Sequence, residues 1–376
     1  MKQNQETRTG MFRRVIHDAI NREAFSCQYE ETPLQIACSS YQGTEQAWLD
    51  KTLQARHPRQ PGIIYGFYES DGELQAQAIE QEGVAPGFIA VSSYLVVSLG
   101  CYIFGALAHK SVLSDFGNAN HELSPEELGP GPHLWVKPRD PERLKIAKIA
   151  MMMAMRFITA HEMIHILHGH IRHRLADHAH GEMAELGRVL QPEDALFSQT
   201  LEMDADAGAV VECMPGVILA EWDLAEVIRI DCHPVYRTPE LALRLWLFAV
   251  YCVFRVMEDA SGTCSVETAS HPRPMMRIRL VMNTLYESLK QNKLDRLLSF
   301  IAELIEQSIP DGETAYASII NCPPGLEQIV TSGTGECQKR ITEIIQAWRD
   351  VRPVIEPYAR ESETLAPLPE GPRTKI

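Results

Sequence analysis

Apolar positions along this chain fall mostly at helical spacing, and the stretches that break that rhythm read as strands or loops. Phe12, Val15, Ile16, Ala19 and Ile20 predict a helix within 12–25, and Thr44 to Arg56 a second, with Gln35 to Ser39 as a short strand between them. Ile63 to Glu69 and Glu73 to Ile79 flank Asp71-Gly72, a strong hairpin signal. With a strand near Phe88 they predict a small antiparallel sheet, whose exposed edge is either 73–79 or 88–93. Ile146 to Ile166 is a strongly apolar helix, and Leu245 to Phe254, between Arg244 and Arg255, predicts a core helix too short to span a bilayer. Ile278 to Ile309 reads as one long helix or two, Pro310 to Gly335 as turns, Gln338 to Val351 as an amphipathic helix, and Pro357 to Ile376 as a disordered tail. Ser114 to Asp140, rich in Pro, Gly, Asn and acidic residues, predicts a long surface loop of the kind that can close over a cleft.

One segment bears on membrane association. Gly87 to Ala108 carries no charge over about the length of a bilayer span, yet it holds several serines and glycines and begins with strand-like composition. The favoured expectation is a strand followed by a buried helix, with a membrane helix as the alternative. Met1 to Arg14 is polar and lacks the apolar stretch of a secretory signal. Nine cysteines without a CxxC pair fit reduced thiols, so the expectation is a cytoplasmic protein, or alternatively one associated with the inner membrane. The 376 residues, 45% of them hydrophobic, suffice for a large core, and a net charge of −15 argues against nucleic acid as a partner.

The segment that specifies chemistry is His161-Glu162-Met163-Ile164-His165, an HExxH motif on the apolar helix. Residues four apart on an α-helix differ by about 40° of rotation, so His161 and His165 can share one ion, and their spacing suits zinc. Glu162 points about 100° away from His161, which fits a general base acting on a metal-bound water better than a third ligand. Histidines and a carboxylate in a core helix are costly without a compensating partner, which weighs against a chance match. The metzincin continuation requires glycine at 168 and histidine at 171, where this chain has His168 and Ile171. A gluzincin instead takes a glutamate from a second helix in an ExxxD arrangement, which Glu202 and Asp206 supply. There Glu202 would bind the metal, and Asp206 would accept a hydrogen bond from the far nitrogen of a ligand histidine. Standing alone, the same two acids would read as a solvated helix face.

Three blocks in order make the chain resemble the HtpX and CAAX-prenyl-endopeptidase family of gluzincins: HExxHxxxGH at His161 to His170, the acidic Glu202 to Gly208 segment, and His271-Pro272 with Arg277-Ile278. More distantly, through the zinc helix alone, the chain is similar to the phage-exclusion peptidase Lit. The likeness covers roughly residues 85 to 290. It implies that His271 stabilises the oxyanion and that Arg277 supports the site; otherwise His271-Pro272 would read as a helix start. The fold expected is α+β and mostly helical, zincin-like, with the HExxH helix beside the small antiparallel sheet. Its regions would be an N-terminal part (1–60), a metallopeptidase domain (61–290), a helical part (291–356) and a disordered tail (357–376). The function implied is a zinc-dependent endopeptidase with one Zn2+ bound by His161, His165 and Glu202, acting on a protein or peptide substrate. The alternatives are a non-catalytic zincin-fold binding protein and a membrane-tethered quality-control protease. His173, His178 and His180 lie in what reads as a solvated connection rather than a second metal site.

Overall fold

A computed structural model describes residues 8–20, 22–24, 33–56, 61–70, 72–84, 86–124, 136–177, 190–219, 238–260, 265–320, 335–360 and 365–367, with 58, 127 and 235 singly. The chain is α+β and mostly helical, built around one long central helix. That helix, α4 (Pro141–Leu167), is apolar on nearly every side, and a helix of that kind has to be covered all round. Earlier in the chain come α1 (Arg8–Ile20), α2 (Pro33–Arg56) and α3 (Ser93–Leu107); later come α5 (His170–Asp177), α6 (Pro192–Leu219), α7 (Pro239–Ala260), α8 (Pro274–Gln291), α9 (Asp295–Ile320) and α10 (Gly335–Ile355). α3, α6 and α7 pack directly on α4, and two strands of the sheet cover it elsewhere. Phe157 of α4 meets Trp246 and Phe254 of α7 edge to face, with ring centroids 6.1 and 5.6 Å apart.

The N-terminus of α4 is fixed by Arg143, whose buried guanidinium donates to the carbonyls of Leu107, His109, Val112, Leu113 and Phe116. Asp140 caps the same turn by accepting from the Arg143 amide. Residues 109–124 therefore wrap tightly on Arg143 instead of forming the open loop expected for 114–140. Residues 125–135 of that stretch, Glu127 apart, lie outside the described residues.

The sheet is mixed, not antiparallel. Strand β1 (Ile63–Tyr68) pairs parallel with β3 (Gly87–Ser92), and β2 (Ala76–Ile79) pairs antiparallel with the other side of β3, giving the order β1-β3-β2. β1 and β2, which flank Asp71-Gly72 in the sequence, are thus not neighbours in the sheet, and the predicted hairpin does not form. The reason lies in β1, which is buried on both faces. Ile64 and Tyr68 pack on α1 with Phe12, Val15 and Ile16, while Ile63, Tyr65 and Phe67 face the main core. Such a two-sided strand suits parallel pairing with the equally apolar β3. Its outer edge is closed by α2: Gln46 donates to the Ile63 carbonyl and accepts from the Tyr65 amide, and Gln42 donates to the Tyr65 carbonyl. β2 forms the other edge, where Glu162 of α4 takes the Ala78 amide.

Gly87 to Ala108 forms β3 and α3, as the favoured reading expected, and no described helix is long and apolar enough to cross a membrane. Four other expectations are corrected. Gln35 to Ser39 lies within α2, and α9 continues through Pro310 as far as Ile320. His173, expected in a solvated connection, is buried on α5 against Phe197 and Tyr358, while His178 and His180 fall outside the described residues. Parts of the expected disordered tail are packed: a 3-10 turn spans Glu356–Tyr358, Arg360 donates its amide to the Leu167 carbonyl, and Leu365 is buried.

Candidate metal centre

α4 and α6 lie side by side, and their closest approach sets the site. Gly208 on α6 faces Ile164 on α4, where a Cβ would sit only 2.6 Å from the isoleucine side chain. Glu202 and Asp206, one turn apart on α6, are thereby brought against His161 and His165, one turn apart on α4. The three proposed ligand atoms converge: His161 Nε2 and His165 Nε2 are 3.0 Å apart and lie 3.3 and 3.4 Å from the Glu202 oxygens. A tetrahedral ion with bonds of about 2.0–2.1 Å holds its ligand atoms about 3.3 Å apart. Glu202 Oε2 is buried, and among the described residues no donor is aligned to it. The donor set and its spacing therefore fit a zinc-like cation.

Each remaining predicted site residue is at the same place. Asp206 lies 3.0 Å from His161 Nδ1 and receives two hydrogen bonds from Arg277, at 2.8 and 2.7 Å. Arg277, on the first turns of α8, also lies over the Phe254 ring, 4.8 Å from its centroid. His271, just before α8, puts Nε2 3.4 Å from Glu202 Oε1, and its Nδ1 is 2.9 Å from Ser270 Oγ. Its side chain is 18% exposed, against 9% or less for the other members, so it borders the opening.

Burial and mutual charge set the protonation states. Burial pulls His165 well down and His271 down, keeping both neutral and able to offer a lone pair or an N–H. Burial also lifts Glu162, to about 7, with the nearby Glu202 carboxylate adding to the rise and His161 opposing it. His161 is pulled down by burial, but the adjoining Asp206 and Glu202 carboxylates outweigh that and raise it to about 9. Glu202 and Asp206 stay ionised, since the histidines and Arg277 more than offset their burial. Once His161 and Glu162 lose their protons, three carboxylates face one guanidinium. The two net negative charges left are those a divalent cation neutralises.

The cluster opens into a cleft walled on one side by Phe157, Val253, Phe254 and Met257 and on the other by Gln75 and Ala76. The Ala78 amide of β2 hydrogen-bonds to Glu162, so the strand's outer edge lies against the proposed base.

A second buried group adjoins the first: His168, His170 and Asp204. His168 and His170 belong to the His161–His170 block and Asp204 to the acidic one, but helical spacing put Asp204 on the far side of α6 from Glu202. The only hint in the sequence is the alternation of acids at 202, 204 and 206. Gln75, Ala76 and the apolar wall carry no local signature at all. Comparison of the chain with protein-family models, with characterised proteins and with solved structures finds no match, so the geometry alone bears on function.

Proposed function

We propose that the chain is a zinc-dependent endopeptidase of the gluzincin type, with a core like that of the HtpX and CAAX-prenyl-endopeptidase family. The observation that carries this reading is the convergence of His161, His165 and Glu202 beside Glu162, at a cleft bordered by Gln75 and Ala76 at the outer edge of the sheet. His161, His165 and Glu202 would hold the ion, with Asp206 fixing the His161 ring and Arg277 fixing Asp206. Zinc bound there supplies a Lewis acid and a water whose pKa falls towards about 7.

The protein's own groups account for the proton transfers. Glu162, poised near neutrality by burial, takes a proton from the attacking water and passes it to the leaving amine nitrogen. His271 is neutral, and a hydrogen on Nε2 follows if Ser270 donates to Nδ1. That N–H serves the carbonyl oxygen as it gains charge. An extended peptide is aligned by main-chain pairing with the Ala76 end of β2, since the Ala78 amide is engaged by Glu162 and the β1 edge is blocked by Gln42 and Gln46. The apolar wall at Phe157, Val253, Phe254 and Met257 receives an apolar substrate side chain. The partner is accordingly a protein or peptide.

The test joins metal analysis to hydrolysis of a peptide library. We expect one zinc per chain, kept in Glu162→Gln, with hydrolysis falling roughly a hundred- to ten-thousand-fold in that variant. Hydrolysis unaffected by the change would sink the enzyme reading. Zinc without hydrolysis in the unaltered protein would favour the non-catalytic binding module. Zinc lost in His161→Ala but kept in Glu202→Ala would remove Glu202 from the ligand set.

A further inference from the structure

His165 has two ring nitrogens, and only Nε2 faces Glu202. Its Nδ1 lies 2.9 Å from His170 Nδ1. His170 Nε2 in turn lies 3.1 Å from Asp204 Oδ2, which His168 Nδ1 also approaches at 2.5 Å. The other Asp204 oxygen accepts the Ala366 amide at 3.1 Å. His165, His168, His170 and Asp204 are all buried. The His168 contact on Asp204 Oδ2, at 2.5 Å, is a hydrogen-bond distance, well short of the spacing of about 3.3 Å between ligands of one tetrahedral ion. In this arrangement the group is hydrogen-bonded.

The hydrogens can be placed in one order only. If His165 Nε2 offers its lone pair to a cation, its hydrogen sits on Nδ1. His170 Nδ1 must then accept, so the His170 hydrogen sits on Nε2 and points at Asp204. Asp206 orients His161 directly; Asp204 reaches His165 through a second imidazole. The Asp204 end is closed by the C-terminal segment, held from several sides. Trp348 Nε1 donates to the Ala366 carbonyl, Arg360 donates to the Leu167 and Pro61 carbonyls, and Gly169, with φ of +80°, lets Tyr358 approach where a Cβ would meet its carbonyl carbon at 2.3 Å.

We propose that His170 and Asp204 are positioning residues, a relay that holds His165 with Nε2 free for the metal, and that residues 365–367 complete the relay through the Ala366 amide. The proposal rests on the metal-site reading above, and the experiment separates the two. Zinc affinity is measured by competition with a chromogenic chelator, the Co2+-loaded protein by its visible spectrum, and the metal-free protein by its melting temperature. His170→Leu is expected to weaken zinc binding about 10- to 100-fold and to shift the Co2+ bands. His170→Gln, whose amide accepts from His165 and donates to Asp204, should recover most of that loss. Ala366→Pro, which removes the amide N–H and also fixes φ at about −65°, should cost a few-fold. Zinc bound equally by unaltered protein and His170→Leu overturns the relay and leaves the site reading standing. Equal losses in His170→Leu and His170→Gln, tracking a lowered melting temperature without metal, overturn it in favour of plain packing. Ala366→Pro matching the unaltered protein removes the C-terminal segment from the relay. An unaltered protein that binds no zinc overturns both readings.

Discussion

At the scale of single residues, the centre is made of groups whose protonation differs between folded and unfolded chain. Glu162 is the clearest case, raised from 4.5 to about 7 by burial. Between those values the folded protein holds a proton that the unfolded chain releases, so stability falls as pH rises through the window. The penalty reaches on the order of 3 kcal/mol by pH 8. Glutamine keeps the shape and the acceptor for the Ala78 amide but has no charge to bury. Glu162→Gln should therefore raise the melting temperature of the metal-free protein at pH 8 by several degrees and leave it unchanged near pH 4, as calorimetry would show. An equal gain at both pH values would mean that the buried charge is not the cause. The residue proposed to do the chemistry is then one the fold would be more stable without.

At the scale of elements, the contact between α4 and α6 decides whether the ligands meet. Gly208→Ala puts a methyl group against Ile164, whose branched side chain has little freedom in a helix. We expect a loss of about 1–3 kcal/mol in stability and weaker zinc binding, because α6 must move away from His161 and His165. Adding Ile164→Ala makes room, so the double variant should bind zinc better than Gly208→Ala alone; a chelator competition across the double-mutant cycle measures this. The helices and the metal cluster were legible because local spacing fixes which side chains share a face: His161 with His165, Glu202 with Asp206. Strand pairing was not, because the choice between Asp71-Gly72 hairpin and parallel partner depends on β3 and on α2, both remote in sequence. Gln35 to Ser39 went astray for the same reason. Its strand-like composition is overridden by the packing of α2 on β1, with Cys38 buried in the core.

At the scale of the whole molecule, one core cluster reaches from Cys38 to Leu365, so α2, the central helix and the 365–367 segment share the same interior. Pro310 and Gly312 illustrate what such a core can do. Read locally they stop a helix, yet Gly312 packs directly on the Tyr251 ring and its carbonyl accepts from the Tyr102 hydroxyl, and α9 passes through both. The candidate metal centre lies within this core, so its charge balance acts on global stability. Without metal, His161 is raised to about 9 from 6.5; its stabilising contribution is present below 6.5 and lost as pH climbs to 9. Glu162 costs stability from 4.5 to about 7, so both groups tilt the metal-free protein the same way. Glu202 and Asp206 act oppositely, but below about 4.5, where they would have to gain protons. Buried His165, His170 and His271, all held below their ordinary value, oppose the decline until pH passes about 6.5, so the metal-free protein should melt at steadily lower temperature from pH 7 to pH 9. Saturating zinc replaces the two lost protons with two positive charges and should flatten that decline. We expect the gap in melting temperature between zinc-loaded and chelator-treated protein to widen as pH rises, and to vanish in His161→Ala. Ligand at a hundred times its dissociation constant adds about 2.7 kcal/mol, so the gap is readable by calorimetry. A gap that narrowed towards pH 9 would mean that no proton is displaced when the metal binds, against the charge balance assigned to His161, Glu162, Glu202, Asp206 and Arg277.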